Sequence, residues 1–173
     1  PRAIEAGTVV SEIITNVDFA KTFVDFAGAE IHEGAQGRSF RSLLEKKQVE
    51  DWPQAMYYRY WEHDDPIHAS CAHYGVRTHD YKLICYYSDG MGLELTGETV
   101  YPIQWEMFDL KNDPKELTSV YGHPDYADIQ ANLLEQLNSL QREIGDEPFY
   151  PGAKVKHMKF KGLNIKPFLE EYL

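Results

Sequence analysis

The sequence predicts an α+β fold, in which a four-stranded antiparallel sheet carries one long C-terminal helix on one of its faces. Two patterns support this prediction. Four short stretches rich in aromatic and β-branched residues lie between residues 54 and 110, and apolar residues recur at spacings of three and four between residues 124 and 144. The length of 173 residues is enough for one domain with a real core and too short for two large ones.

The N-terminal part predicts a short strand followed by a helix. Residues 8–14 (TVVSEII) have the β-branched composition of a strand, and Asn16 or Asp18 is suited to cap a helix over roughly 18–27. Gly28 follows that helix, at the position where left-handed backbone geometry is required. The later stretch RSFRSLLEKK predicts one or two further helical turns.

The sheet is predicted from four strands. They cover residues 54–61, 73–79, 81–88 and 103–110. Thr78-His79-Asp80 is a natural turn between the second and third strands, and residues 89–101, with three glycines, predict a loop.

The clearest helix is predicted over residues 124–144. Pro124 suits its first turn and Gly145 its C-terminal end. The apolar residues of this segment fall on one helical face, which is expected to pack on the sheet; they are Tyr126, Ile129, Leu133, Leu137, Leu140 and Ile144.

The charge distribution restricts the partners. A net charge of -11 argues against a nucleic acid, because that binding depends on phosphate neutralisation. Residues 148–173 are the exception, since they hold five lysines against two glutamates. We expect this basic tail to lie on the acidic body of the protein or to move in solvent.

The sequence also carries signals of its cellular context. It has no run of 18 apolar residues, so no membrane-spanning segment is predicted. The first residues have neither a basic start nor an apolar stretch, so no signal peptide is predicted. The absence of an initiating methionine indicates a fragment or a processed chain.

Residues 56–80 contain most of the side chains that could act as nucleophiles or metal ligands, but no catalytic or metal site is predicted there. The candidate metal ligands are His63, His68, His73, His79, Asp64 and Asp65, and their spacing matches no zinc signature. Ser70 and Cys71 could act as nucleophiles, but no GxSxG elbow surrounds them. A small metal-dependent hydrolase therefore remains a minor alternative.

Five stretches, taken in order, resemble the C-terminal part of the type I, formylglycine-dependent sulfatases. The resemblance is strongest to bacterial relatives of the heparan N-sulfatase and N-acetylglucosamine-6-sulfatase group, and it covers about residues 1–147. The stretches are AGTVVSEIITNVDFAKTFVDFAGAE, QGRSF, MYYRYWEH, HYGVRTHDYKLI and WEMFDLKNDPKEL.

This resemblance implies a domain organisation. Residues 1–50 would be the trailing segment of the large, alkaline-phosphatase-like sulfatase domain, residues 51–147 the C-terminal subdomain, and residues 148–173 the basic tail. The apolar face around the first helix would then be exposed here or used in an oligomer. Its residues are Ile13, Val17, Phe23 and Val24.

The resemblance also implies where catalysis takes place. Sulfatases of this family use a formylglycine, made from Cys or Ser in the motif [CS]x[PA]xR, beside a calcium ion held by Asp and Asn. Neither Cys71, Cys85 nor any serine of the 173 residues stands in that motif. We therefore expect no catalytic residue and no cofactor in this chain. Formylglycine and calcium would belong to an upstream catalytic domain, and the chain alone would be inactive.

A substrate-binding role is the remaining expectation. His63 and His73 would face a sulfated carbohydrate in the family's pocket, and Trp61 would stack on a sugar ring. The alternative for each histidine is a turn residue satisfied by a backbone carbonyl. Because sulfatases of this family are usually exported, the resemblance implies a periplasmic or secreted protein. A second function stays open, in which a non-catalytic module binds glycan or protein through the aromatic strand face.

Overall fold

The computed structural model describes residues 3–93 and 96–149, so the predicted basic tail lies almost wholly outside the described residues. It confirms the predicted fold class. The elements are α1 (Asn16–Ala27), α2 (Arg41–Leu44), β1 (Ala55–Tyr60), β2 (His73–Thr78), β3 (Tyr81–Tyr86), β4 (Gln104–Asp109), a 3₁₀ turn (Pro124–Tyr126) and α3 (Ala127–Ile144). Each strand lies within two residues of its predicted limits.

The four strands form one antiparallel sheet in the order β1-β2-β3-β4. Every neighbour in the sheet is also a neighbour in sequence, because short connections favour antiparallel pairing. The register places Tyr60 opposite His73 and Gly75 opposite both Tyr58 and Ile84. Alternate residues of each strand therefore face α3, and the others form the opposite face.

The main core lies between the sheet and α3. Val76, Leu83 and Met107 have no exposed surface, and Leu133 and Leu137 of α3 pack against them. Complete burial of each such side chain stabilises the fold by about 2 kcal/mol. The predicted packing face of this helix is confirmed at Leu133 and Leu137, which lie four residues apart, but not at its end, where Ile144 is 54% exposed.

The N-terminal part has its own small core, made by Phe40, Leu43 and Trp52. The predicted strand over residues 8–14 is wrong, because none of the described strands pairs with this segment. Its backbone is held instead by the side chain of Trp52, whose indole Nε1–H donates to the Ile13 carbonyl at 2.9 Å.

Helix α1 presents its polar side inward. Asp18 and Thr22 are its buried residues, whereas Phe19 and Phe23 keep 45% and 66% of their surface exposed. The Asp18 carboxylate accepts hydrogen bonds from the Thr15 N–H, within the helix cap, and from the Arg38 N–H across the loop. Polar contacts thus fix α1 in place and leave its phenylalanines uncovered.

Candidate functional site

The three residues predicted to bind substrate lie at the same end of the sheet but do not share one face: Trp61 packs against the main core beside Arg59, whereas His73 lies on the face opposite α3. Trp61 and His63 follow β1 directly, and His73 is the first residue of β2. Because Tyr60 pairs with His73 across the two strands, the loop after β1 and the start of β2 meet at this end.

His63 is completely buried. Its Nδ1 accepts a hydrogen bond from the Ala72 N–H at 3.2 Å, so Nε2 carries the ring proton and donates to the Thr99 carbonyl at 2.7 Å. The ring of Tyr101 covers it edge-on. This geometry matches the alternative in which the imidazole is satisfied by backbone groups. Contact between His63 and a substrate stays a prediction.

His73 is half-buried, on the sheet face opposite α3. Its Nδ1–H donates to the Cys71 carbonyl at 2.7 Å, and its ring stacks on Tyr60 with centroids 5.4 Å apart. Nε2 has no hydrogen-bond partner among the described residues. In the neutral ring this nitrogen can therefore accept a hydrogen bond from a sugar hydroxyl.

Trp61 is half-buried and one face of its indole is occupied. The guanidinium of Arg59 lies 3.8 Å from the ring centroid, a cation–π contact. That face of the indole is therefore closed to a sugar ring.

A polar cluster next to His73 was not predicted as a unit. The Tyr60 hydroxyl lies 3.3 Å from Glu62 Oε2, 3.1 Å from Asp65 Oδ2 and 3.5 Å from His68 Nδ1. Burial, followed by the hydrogen bond to Asp65, raises the pKa of Tyr60 to about 12, so the phenol stays protonated. The sequence indicated Asp65 and His68 as candidate metal ligands, but neither Glu62 nor the tyrosine at the centre of the cluster.

The same cluster has the dimensions of a metal site. One atom each from Glu62, Asp65 and His68 lies within 4.8 Å of the others. However, the phenol is within hydrogen-bonding distance of all three, and Asp65 also accepts from the Ile67 and His68 N–H groups. The cluster is thus satisfied by its own hydrogen bonds, and its exposed carboxylate and imidazole can bind a hydroxyl group.

The sheet face opposite α3 is aromatic around His73. Tyr58, Tyr60 and Tyr86 all pack against its ring, at centroid distances of 5.9, 5.4 and 5.2 Å. The Tyr58 hydroxyl is buried and has no hydrogen-bond partner among the described residues. Its burial raises the pKa of Tyr58 well above the ordinary value. A buried hydroxyl without a partner is unfavourable, and this one lies against Gly75 rather than on the surface of the face.

The residues of this chain do not fit a formylglycine centre. Cys85 is buried in the main core, and burial raises the pKa of its thiol. Cys71 is half-buried and its carbonyl binds His73. Neither lies in the modification motif.

Within residues 3–93 and 96–149, no helix is long and apolar enough to cross a membrane.

Comparison with known proteins is consistent with this arrangement. The family model described as "N-sulphoglucosamine sulphohydrolase, C-terminal" matches residues 1–143. The chain is 40% identical over 148 residues to an N-acetylglucosamine-6-O-sulfatase of Bacteroides thetaiotaomicron, covering 84% of this chain and 24% of the relative. It is 29% identical over 141 residues to human arylsulfatase K, covering 79% of this chain and 24% of the relative.

Solved structures show the same fold. A protein solved in complex with its substrate D-glucosamine-2-N,6-O-disulfate is similar with a TM-score of 0.72 and 40% identity, covering 84% of this chain and 27% of that one. A phosphonate monoester hydrolase from Silicibacter pomeroyi has a TM-score of 0.63 at 20% identity, covering 81% and 27%, and shares the fold alone. The chain thus spans about a quarter of the length of these relatives.

Proposed function

The chain belongs to the N-sulphoglucosamine sulphohydrolase C-terminal family, and we propose that it completes the substrate pocket of a sulfatase whose catalytic domain packs against it. In this proposal residues 1–50 pack as the trailing segment of the catalytic domain and residues 51–147 form the C-terminal subdomain. Formylglycine and calcium would be supplied by the catalytic domain, outside the 173 residues. The chain alone would be inactive.

The observation that carries this proposal is the exposed apolar side of α1. Phe19 and Phe23 are exposed although the polar residues Asp18 and Thr22 on the same helix are buried. An uncovered aromatic surface of this kind marks a protein interface. The family match and the quarter-length coverage of relatives support the catalytic domain as the partner.

The substrate we propose is a 6-O-sulfated glucosamine. The relative at 40% identity is an N-acetylglucosamine-6-O-sulfatase, and the similar solved structure holds a 2-N,6-O-disulfated glucosamine. Here Nε2 of His73 would accept a hydrogen bond from a sugar hydroxyl. The indole face of Trp61 that Arg59 does not cover would pack on the sugar ring. His63 would support the site by holding the loop around Thr99.

Two further features belong to the same proposal. Glu62 is exposed and carboxylate-bearing, so it would accept hydrogen bonds from sugar hydroxyls rather than bind sulfate. A sulfatase acting on such sugars would work in the periplasm or outside the cell, which is where we place this protein.

The test is a chimera. Residues 1–147 replace the matching quarter of the N-acetylglucosamine-6-O-sulfatase, and sulfate release from glucosamine-6-sulfate is measured. We expect turnover by the chimera and none by the chain alone. Phe23→Asp should prevent α1 from packing against the catalytic domain of the chimera and so abolish turnover. Ile144→Asp, at a 54% exposed position of α3, should leave turnover unchanged.

The outcomes separate the alternatives. His73→Ala in an assembled chimera should raise KM more than it lowers kcat, because His73 would bind substrate and take no part in bond cleavage. Turnover by the chain alone would contradict the proposal. Tight binding of a sulfated oligosaccharide by the chain alone would favour the non-catalytic glycan-binding module on the aromatic face around His73.

A further inference from the structure

An apolar groove lies beside the sheet, away from the predicted substrate residues. It encloses about 470 Å³ between the end of β3 and the segment that leads into β4. One wall is the apolar strip, which we define as residues 100–103. Val100, Tyr101 and Ile103 of this strip keep 61%, 41% and 43% of their surface exposed. Three exposed apolar residues in one short segment are unusual on a free surface.

The last described residue already lies in this groove. The ring of Phe149 stacks on the fully buried Tyr87, with centroids 5.0 Å apart and planes 22° from parallel. The approach of the chain is fixed, because Arg59 binds the Asp146 carboxylate at 2.7 Å and the Glu147 carbonyl at 3.2 Å. The described chain therefore ends at Phe149, beside the apolar strip.

The rim of the groove is acidic. Asp89 lines it, Asp64 accepts a hydrogen bond from the Tyr101 hydroxyl at 3.2 Å, and Glu98 lies close by in sequence and is exposed. No lysine or arginine of the described residues forms a salt bridge with any of these three carboxylates. The rim thus has a negative charge that a basic segment could offset.

We propose that residues 150–161 of this chain occupy the groove. This segment combines four lysines with apolar residues: Tyr150, Val155, Met158 and Phe160. The apolar side chains would cover the apolar strip, and the lysines would lie beside the acidic rim. The segment lies outside the family match, which ends at residue 143.

A consequence follows, which rests on the proposed function. Asp64 adjoins His63 in sequence, so lysines at this rim would reduce the negative charge next to the predicted pocket. A sulfated sugar would then approach with less repulsion.

The test uses the full chain and needs no activity. Trypsin cleaves after lysine, so a docked segment should be protected at Lys154, Lys156, Lys159 and Lys161. Ile103→Asp should release the segment and raise the cleavage rate there about tenfold, because protection depends on the docked population. Ile67→Asp is the matched control, since Ile67 is 85% exposed in the loop after β1 and should leave cleavage unchanged.

Two further measurements keep the result decisive. Val100→Asp repeats the test at a second strip position, in case Ile103→Asp affects folding. A zero-length carbodiimide crosslink should join the lysines of this segment to Asp89 or Glu98 within one molecule. Equal cleavage in wild type and both strip variants, without such crosslinks, would overturn the proposal. So would protection that appears only at high protein concentration, because a second copy would then cover the groove.

Discussion

Arg59 and Asp146 form a buried ion pair that joins β1 to the segment after α3. The Arg59 Nη1 and Asp146 Oδ1 atoms are 2.7 Å apart, and the arginine side chain is only 7% exposed. The guanidinium lies over Trp61 at 3.8 Å and over Tyr87 at 5.0 Å. Asp146 also accepts a hydrogen bond from the Tyr57 hydroxyl.

Asp146→Asn should therefore destabilise the fold strongly. The substitution leaves a buried guanidinium without its carboxylate, and loss of one partner of a buried pair costs about 3 kcal/mol. Urea unfolding followed by tryptophan fluorescence measures the change, and Trp61 reports directly on the site.

The exposed pair of Arg38 and Asp51 is the control. Its atoms are also 2.7 Å apart, but the two side chains are 41% and 80% exposed. Asp51→Asn should cost less than about 1 kcal/mol, because solvent screens such a pair. Similar losses in both variants would show that burial does not set the strength of the Arg59 pair.

Asp109 makes the free energy of unfolding depend on pH in the acidic range. Burial alone would raise the pKa of this carboxyl, but hydrogen bonds from Asn112, Tyr126 and Lys111 outweigh it and lower the pKa below 3.8. The folded state thus favours the carboxylate. The stabilisation is present above the unfolded-state pKa and is lost as the pH falls through the lower folded-state pKa.

We predict that Asp109→Asn lowers the free energy of unfolding by about 2 kcal/mol at pH 7 and by progressively less as the pH falls through the lowered folded-state pKa of Asp109. Urea titrations at a series of pH values measure this difference. Glu135→Gln, on the exposed side of α3, should leave the pH dependence as it is in wild type. A constant difference between Asp109→Asn and wild type across the pH range would exclude the carboxylate as its source.

The sheet and α3 could be predicted from sequence because their signals are local. Alternating residues define strands, and spacings of three and four define a helix. Each strand was found within two residues, and α3 begins three residues later than predicted because Pro124–Tyr126 form a 3₁₀ turn. The prediction of a strand over residues 8–14 was wrong for a physical reason. Composition indicates what can pair, but a strand forms only where a partner is present, and none of the described strands lies beside it.

The site was predicted less completely because its contacts are distant in sequence. His63 binds the carbonyl of Thr99, 36 residues further along the chain, and no local sequence pattern indicates this contact. The inverted burial of α1 is similar. The resemblance implied an exposed apolar face, and Val17 and Phe23 are exposed, but the hydrogen bonds of Asp18 and Thr22 that turn the polar side inward could not be predicted.

Gly75 marks a close approach within the sheet. A Cβ added there would lie 2.4 Å from the Leu83 carbonyl oxygen and 2.7 Å from the Tyr58 hydroxyl oxygen. Gly75→Ala should cost about 2–3 kcal/mol, because the backbone of β3 cannot move aside without disturbing the sheet. Thermal unfolding measures the loss.

Gly122→Ala provides the comparison for Gly75. Gly122 has a φ of +76° and nothing within 4 Å of an added Cβ, so only backbone strain of about 1 kcal/mol is expected. If Gly75→Ala cost no more than Gly122→Ala, the close contacts of the added Cβ would not be the source of the loss. Tyr58→Ala combined with Gly75→Ala should recover only part of the loss, since the carbonyl contact remains.

His63→Leu tests whether this residue holds the loops of the site. The leucine can neither accept from the Ala72 N–H nor donate to the Thr99 carbonyl, and the buried N–H would lose its partner. We expect a loss of about 2–3 kcal/mol in the free energy of unfolding. Amide hydrogen exchange at Ala72 should rise together with that of the loop around Thr99. His79→Leu, at an exposed turn position, should change neither measurement. A His63→Leu protein with normal stability and slow exchange at Ala72 would show that the imidazole does not hold these loops.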